Sequence, residues 1–212
     1  MLLRSGKVNR MSSHSPLRIL SVESSDESRS ILHEVLTKIP DFVLVADMHS
    51  TDETLLKIRA DDSTDIVVVD LALDGDAVGL IKQVRHLNPA VRVLIYTASD
   101  SPQDIFAAMD AGADAYVLKE NLRTVLETAI RSARLGTVWL DPGIARQVLQ
   151  IMETAASTPS RVLPTGFMPM PLMPDEQSIL SEVAASACTD GVCMVDPSFV
   201  RKLKRFARAA SE

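Results

Sequence analysis

Short apolar runs alternate with helically spaced apolar positions from residue 17 onward. Leu17–Val22, Phe42–Ala46, Ile66–Val69, Val91–Tyr96 and Ala115–Leu118 are the lengths and compositions of β-strands. After the first run, Ser24-Ser25-Asp26-Glu27 supplies a capping side chain and first-turn acids, and Ile31, Leu32, Val35, Leu36 and Ile39 follow at helical spacing. Ser50-Thr51-Asp52-Glu53 fits a capping box for a helix carrying Leu55, Leu56 and Ile58. Asp74-Gly75-Asp76 leads to a helix around Val78–Leu87, Ser101-Pro102 opens one through Met109 closed by Gly112, and Asn121 is placed to cap one running to Gly136. Five strand-then-helix repeats with short connections predict an α/β fold, a parallel sheet with helices on both faces. The uniformly β-branched Ile66–Val69 reads as a central strand covered on both sides.

Four polar side chains fall where these runs stop: Glu23, Asp70, Thr97 and Lys119. In a parallel sheet all four gather at the carboxyl edge, where open α/β folds place ligands. A carboxylate nucleophile, a second acid, a hydroxyl and an ammonium are the parts for making and holding an aspartyl phosphate. Singly, each has a duller reading: the Asp caps a turn, the Thr bonds local backbone, the Lys is solvated. Four such coincidences at matching strand ends favour the shared site.

The blocks Arg18-Ile19-Leu20-Ser21-Val22-Glu23, Asp65-Ile66-Val67-Val68-Val69-Asp70-Leu71, Val93-Leu94-Ile95-Tyr96-Thr97-Ala98 and Ala111-Gly112-Ala113-Asp114-Ala115-Tyr116-Val117-Leu118-Lys119 stand in order over residues 17–136. In these blocks the chain resembles the receiver domain of bacterial two-component response regulators. The resemblance implies a flavodoxin-like five-stranded sheet of order 2-1-3-4-5, a phosphoacceptor at Asp70, and phosphoryl ligands at Thr97 and Lys119. Thr97 and Tyr116 would form the switch, the aromatic moving as Thr97 engages the phosphate. A sensor histidine kinase is the implied partner, and Mg²⁺ held by Glu23 and Asp70 the implied cofactor. Mg²⁺ takes oxygen ligands and screens the repulsion between the carboxylate and the incoming anion. The family usually carries two adjacent acids after strand 1; Ser24 stands at the second position and argues for weaker Mg²⁺ binding. Leu73-Asp74 also stands where Met-Pro is common.

Beyond Gly136, Thr137-Val138-Trp139-Leu140-Asp141-Pro142 opens a helix carrying Ile144, Val148, Leu149, Ile151 and Met152, with Asp141 as N-cap and Pro142 at N1. This junction resembles the linker helix of the NarL/LuxR-type branch. Prolines 159, 164, 169, 171 and 174 mark a Pro/Met-rich connector. The expected organisation is a disordered lead-in over 1–16, a receiver over 17–136, linker helix and connector over 137–174, and a small helical output region over 175–212. Leu172-Met173-Pro174-Asp175-Glu176 and Val195-Asp196-Pro197-Ser198-Phe199-Val200-Arg201 resemble parts of that branch's helix-turn-helix, in a shortened form. In the last helix Phe199, Leu203, Phe206 and Ala210 form an apolar stripe beside Arg201, Lys202, Lys204, Arg205 and Arg208. Those cations fit phosphate contacts on DNA. They also fit a solvated helix that packs its stripe on a small domain or on another protein, while the missing Trp and modest apolar face disfavour a membrane interface.

Composition narrows the rest. The 212 residues carry a net charge of −6, against broad nucleic-acid binding by the whole molecule. Cys188 and Cys193, with every histidine far upstream, form a poor metal set, and the polar first 15 residues lack a signal core, so a reduced cytoplasmic setting is expected. Glu23-Ser24-Ser25 is no glycine-rich phosphate loop, and the α/β half holds no cysteine; an independent enzyme is not expected. Two readings stay open: a response regulator that controls transcription, with a possible homodimer, and a pseudo-receiver adaptor that works by protein contact.

Overall fold

The computed structural model describes residues 15–157, apart from positions 62 and 74, and residues 194–195. Residues 1–14 of the expected lead-in, most of the Pro/Met-rich connector, and the helix bearing Arg201, Lys202, Lys204, Arg205 and Arg208 lie outside the described residues.

The chain alternates β1 (Leu17–Val22), α1 (Asp26–Thr37), β2 (Phe42–Met48), α2 (Thr51–Ala60), β3 (Ile66–Val69), α3 (Ala77–Leu87), β4 (Arg92–Thr97), α4 (Pro102–Ala111), β5 (Ala115–Leu118), α5 (Leu122–Arg134), β6 (Val138–Leu140) and α6 (Pro142–Ser157), with β7 (Met194–Val195) beyond. The strands lie in the order β2-β1-β3-β4-β5-β6-β7. The first five reproduce the 2-1-3-4-5 order that the resemblance implies. The expectation of five strands is corrected: β6 pairs parallel with β5, and β7 pairs antiparallel with β6. Val138-Trp139-Leu140 is too short to announce itself as a strand. Its pairing arises because the free edge of β5 offers unpaired backbone groups, with Ala115 opposite Trp139 and Tyr116 opposite Leu140.

Most helix starts follow the capping logic. Ser25, Ser50, Asp76 and Ser101 each accept a hydrogen bond from the backbone N–H three residues on, and Gly112 closes α4 at φ 111°. Asn121 departs from its expected role. A single 3-10 turn over Lys119–Asn121 precedes α5, and Asn121 makes no side-chain cap. Its Nδ2 instead donates to Asp141 Oδ2 at 2.9 Å, while Asp141 Oδ1 accepts from Gly143 N at 3.1 Å and caps α6.

The period of two in each strand divides the core. Leu20, Val22, Val67, Val69, Val93, Ile95, Tyr116 and Leu140 face the side covered by α2, α3, α4 and α6. Ile19, Ile66, Val68, Leu94, Tyr96, Val117 and Trp139 face α1 and α5. Ile66–Val69 are all fully buried, each apolar side chain contributing about 1.5–3 kcal/mol. Two-sided burial holds β3 rigidly and so fixes the position of Asp70, the next residue.

Candidate functional site

Glu23 follows β1, Asp70 follows β3, Thr97 is the last residue of β4, and Lys119 follows β5. Parallel register places them together. Val22 lies opposite Val69, and Asp70 N donates to Val22 O at 3.0 Å, so Glu23 and Asp70 leave adjacent strands at one level. Val69 lies opposite Ile95, and Thr97 opposite Leu118, which carries Thr97 and Lys119 to the same rim.

Lys119 unites the two acids. Its Nζ donates to Glu23 Oε2 at 2.7 Å and to Asp70 Oδ2 at 2.8 Å, although the acids are 47 positions apart in sequence. Both carboxylates are buried. Their outer oxygens are held by backbone: Glu23 Oε1 accepts from Ser25 N at 2.8 Å, and Asp70 Oδ1 from Ala72 N at 3.1 Å. The ammonium also lies 5.1 Å from the centroid of the Tyr96 ring and donates to Ser28 Oγ at 3.1 Å. Burial pushes the ammonium toward its neutral form, but hydrogen bonds to Asp70 and Glu23 and their charges outweigh it, and the Lys119 pKa is raised. Burial likewise raises the Tyr96 phenol. Two carboxylates and one ammonium leave one excess negative charge at the rim.

Thr97 and Tyr116 meet at a third residue. Ser99 N donates to Thr97 Oγ1 at 3.3 Å, and the Tyr116 hydroxyl donates to Ser99 O at 2.9 Å. The Tyr116 ring is fully buried, and burial pushes its phenol far above the ordinary range. Ser99 is held in turn by Asp104 Oδ2, which accepts from its Oγ at 2.5 Å.

The donor set suits a divalent cation. Glu23 and Asp70 converge, and every carboxylate oxygen keeps a lone pair beyond its present donor. Among the described residues no cluster of three or more His, Cys, Asp or Glu could hold a metal. Two carboxylates completed by water and a phosphate oxygen is a pattern Mg²⁺ accepts. Ser24 is exposed, and Asp26 begins α1 with its side chain directed to Arg29, so neither supplies a further acid.

Ser28, Tyr96 and Ser99 were invisible to the sequence reading as site residues. No local signal sets them apart: Ser28 lies in the first turn of α1 and Tyr96 inside the apolar run of β4.

A nitrate/nitrite response regulator protein homolog from Haemophilus influenzae is 29% identical over 135 residues, which cover 63% of this chain and 64% of that protein. The nitrate/nitrite response regulator protein NarP of Escherichia coli is 29% identical over 124 residues, 58% of this chain and 57% of that protein. The matched region thus spans under two thirds of each relative's length. A LuxR-family two-component response regulator from Aurantimonas sp. superposes with a TM-score of 0.61 at 28% identity, covering 65% of this chain and 98% of that one. The response regulator receiver domain model matches residues 19–131, more than half of the chain. With its acids, hydroxyl and ammonium drawn to one rim of a 2-1-3-4-5 sheet, the chain belongs to the response regulator receiver family, and its relatives are regulators of the NarL/LuxR type.

Proposed function

We propose that this chain is a cytoplasmic response regulator that accepts a phosphoryl group on Asp70 from a sensor histidine kinase and alters transcription through its C-terminal region. The observation that carries the reading is the Lys119 ammonium bonded at once to Glu23 and Asp70. In the transfer an Asp70 carboxylate oxygen forms a bond to phosphorus, the bond from phosphorus to the donor's leaving atom breaks, and the leaving group takes up a proton. Lys119 is placed to hold a transferred oxygen as a point charge and Thr97 to donate one hydrogen bond. Glu23 and Asp70 would hold Mg²⁺, which when bound neutralises charge between the carboxylate and the incoming phosphoryl group. Because Ser24 adds no charge, the site is expected to need higher Mg²⁺ concentrations than a three-acid site.

Phosphoramidate with Mg²⁺ tests the reading. Phosphate-affinity electrophoresis should show a slower species for the wild type and none for Asp70→Asn. No slower species in either protein would overturn it.

For the output region, Arg201, Lys202, Lys204, Arg205 and Arg208 support DNA contact by charge alone, with dimerisation a way to engage two half-sites. Neutralising Arg201, Lys202 and Arg205 together should abolish a salt-sensitive DNA mobility shift of the full chain. A second reading, an adaptor that acts by protein contact, is favoured by Ser24 in place of an acid. It predicts DNA affinity indifferent to those three substitutions. No helix among the described residues is long and apolar enough to cross a membrane, and none of the proposed steps requires one.

A further inference from the structure

An ammonium has three N–H donors. Lys119 spends them on three acceptors: Glu23 Oε2 at 2.7 Å, Asp70 Oδ2 at 2.8 Å and Ser28 Oγ at 3.1 Å. The first two contacts belong to the reading above. The third comes from α1 and is explained by no packing need, because Ser28 is only half-buried and its backbone N–H is already used to cap the helix, donating to Ser25 Oγ at 3.4 Å. Ser25 N in turn donates to Glu23 Oε1 at 2.8 Å. The bonds therefore close a ring, from Glu23 through Ser25 and Ser28 to the ammonium and back to Glu23. The start of α1 is built around Lys119 and Glu23 together.

We infer that Ser28 is a positioning residue for the phosphoryl-transfer chemistry, holding the Lys119 ammonium in place as Asp70 changes character. The inference rests on Asp70 being the phosphoacceptor. When an Asp70 oxygen becomes the bridging atom of an acyl phosphate, the carboxylate charge leaves that residue and passes to the phosphoryl oxygens. The N–H that Asp70 accepted is then the one to be handed to a phosphoryl oxygen. Glu23 and Ser28 are the two contacts that stay unchanged through the transfer. Two fixed points restrict a flexible four-carbon side chain to a small arc, and one fixed point lets it swing into solvent. Ser28 is neutral, so it achieves this without adding negative charge that would repel the incoming phosphate.

The test uses the full chain as wild type, Ser28→Ala, Ser28→Thr and Asp70→Asn. Phosphorylation by phosphoramidate with Mg²⁺ is followed by phosphate-affinity electrophoresis. The side-chain ammonium of Lys119 is followed by ¹⁵N NMR, in which a caged ammonium exchanges its protons with water slowly. Ser28→Ala should be phosphorylated about threefold to tenfold more slowly, equivalent to a fraction of a hydrogen bond to a charged group. It should also broaden or erase the slow-exchanging Lys119 signal while melting at the wild-type temperature. Ser28→Thr keeps the hydroxyl and should restore both rate and signal. A Ser28→Ala protein with wild-type rate and an unchanged Lys119 signal would overturn the inference, as would failure of Ser28→Thr to restore either readout in a normally folded protein. If even the wild type shows no Asp70-dependent phosphorylation while the Lys119 signal still depends on the residue 28 hydroxyl, the phosphoacceptor reading fails and the transfer role of Ser28 falls with it, leaving only a structural tether.

Discussion

Each end of this sheet carries a cluster of buried carboxylate and cation, and the two clusters are inverse in composition. At the amino end Asp114, just before β5, lies between two guanidiniums: Arg92 at 3.2 Å and Arg85 at 3.5 Å. It also accepts from Val93 N at 2.9 Å. At the carboxyl end two buried acids, Glu23 and Asp70, share one ammonium. One acid among two rigid forks and a backbone N–H is satisfied outright, and what it does is fasten β4 to β5. Two acids around one point charge leave negative charge to spare, which suits a divalent cation. The same kinds of side chain make a clasp or a candidate reactive site according to their ratio.

Breaking each cluster should therefore have opposite consequences. Lys119→Met, which leaves the acids without their cation, should slow phosphorylation by about a hundredfold, the usual cost of removing one charge-stabilising donor. Time courses with phosphoramidate check this. Asp114→Ala should destabilise the fold by about 2 kcal/mol, the cost of losing the carboxylate's hydrogen bonds and leaving the buried Val93 N–H without this acceptor, while the phosphorylation rate of the folded protein stays as in wild type. Urea melts alongside the same time courses would show whether the two ends separate in this way; a rate loss matching that of Lys119→Met would erase the distinction.

Ser24→Asp sharpens the contrast by adding an acid to the end already in excess. Its Mg²⁺ affinity should rise about tenfold, equivalent to about 1.4 kcal/mol. Quenching or shift of the single tryptophan, Trp139, or isothermal titration would report it.

The smallest effect belongs to charges that no burial protects. Glu34 is held down to a pKa of about 2 by hydrogen bonds from Arg123 and Lys38 and by their charges, on a fully exposed surface. A depressed carboxylate contributes stability above its ordinary value of 4.5, and that contribution is lost as pH falls from there toward 2. Salt screens such an exposed pair. Arg123→Gln should consequently flatten acid melting only slightly, and 0.5 M salt should remove the difference from wild type.

The repeat of strand and helix was legible from position 17 because period-two and helical apolar patterns act over a few neighbouring residues. So were Glu23, Asp70, Thr97 and Lys119, because a parallel sheet sends every strand end to one rim. Their charges and hydroxyl could be named before any contact was known. Asn121 was legible as a polar residue at a helix start and still bonded elsewhere, because Asp141 comes within reach only once β6 lies beside β5. Ser28, Tyr96 and Ser99 carry no local signal that separates them from other serines and tyrosines. Their place at the site depends on contacts across the fold, such as the 91 positions that separate Ser28 from Lys119.

Local patterning, then, was sufficient for the element order, the sheet class and the identity of the residues at its carboxyl rim, since each depends on chain neighbours and strand direction alone. Packing alone decided that Val138–Leu140 joins the sheet, and that one ammonium divides its three donors among Glu23, Asp70 and Ser28. Both outcomes follow from which unpaired backbone edge or polar atom lies nearest once distant segments meet. No stretch of adjacent residues contains that information.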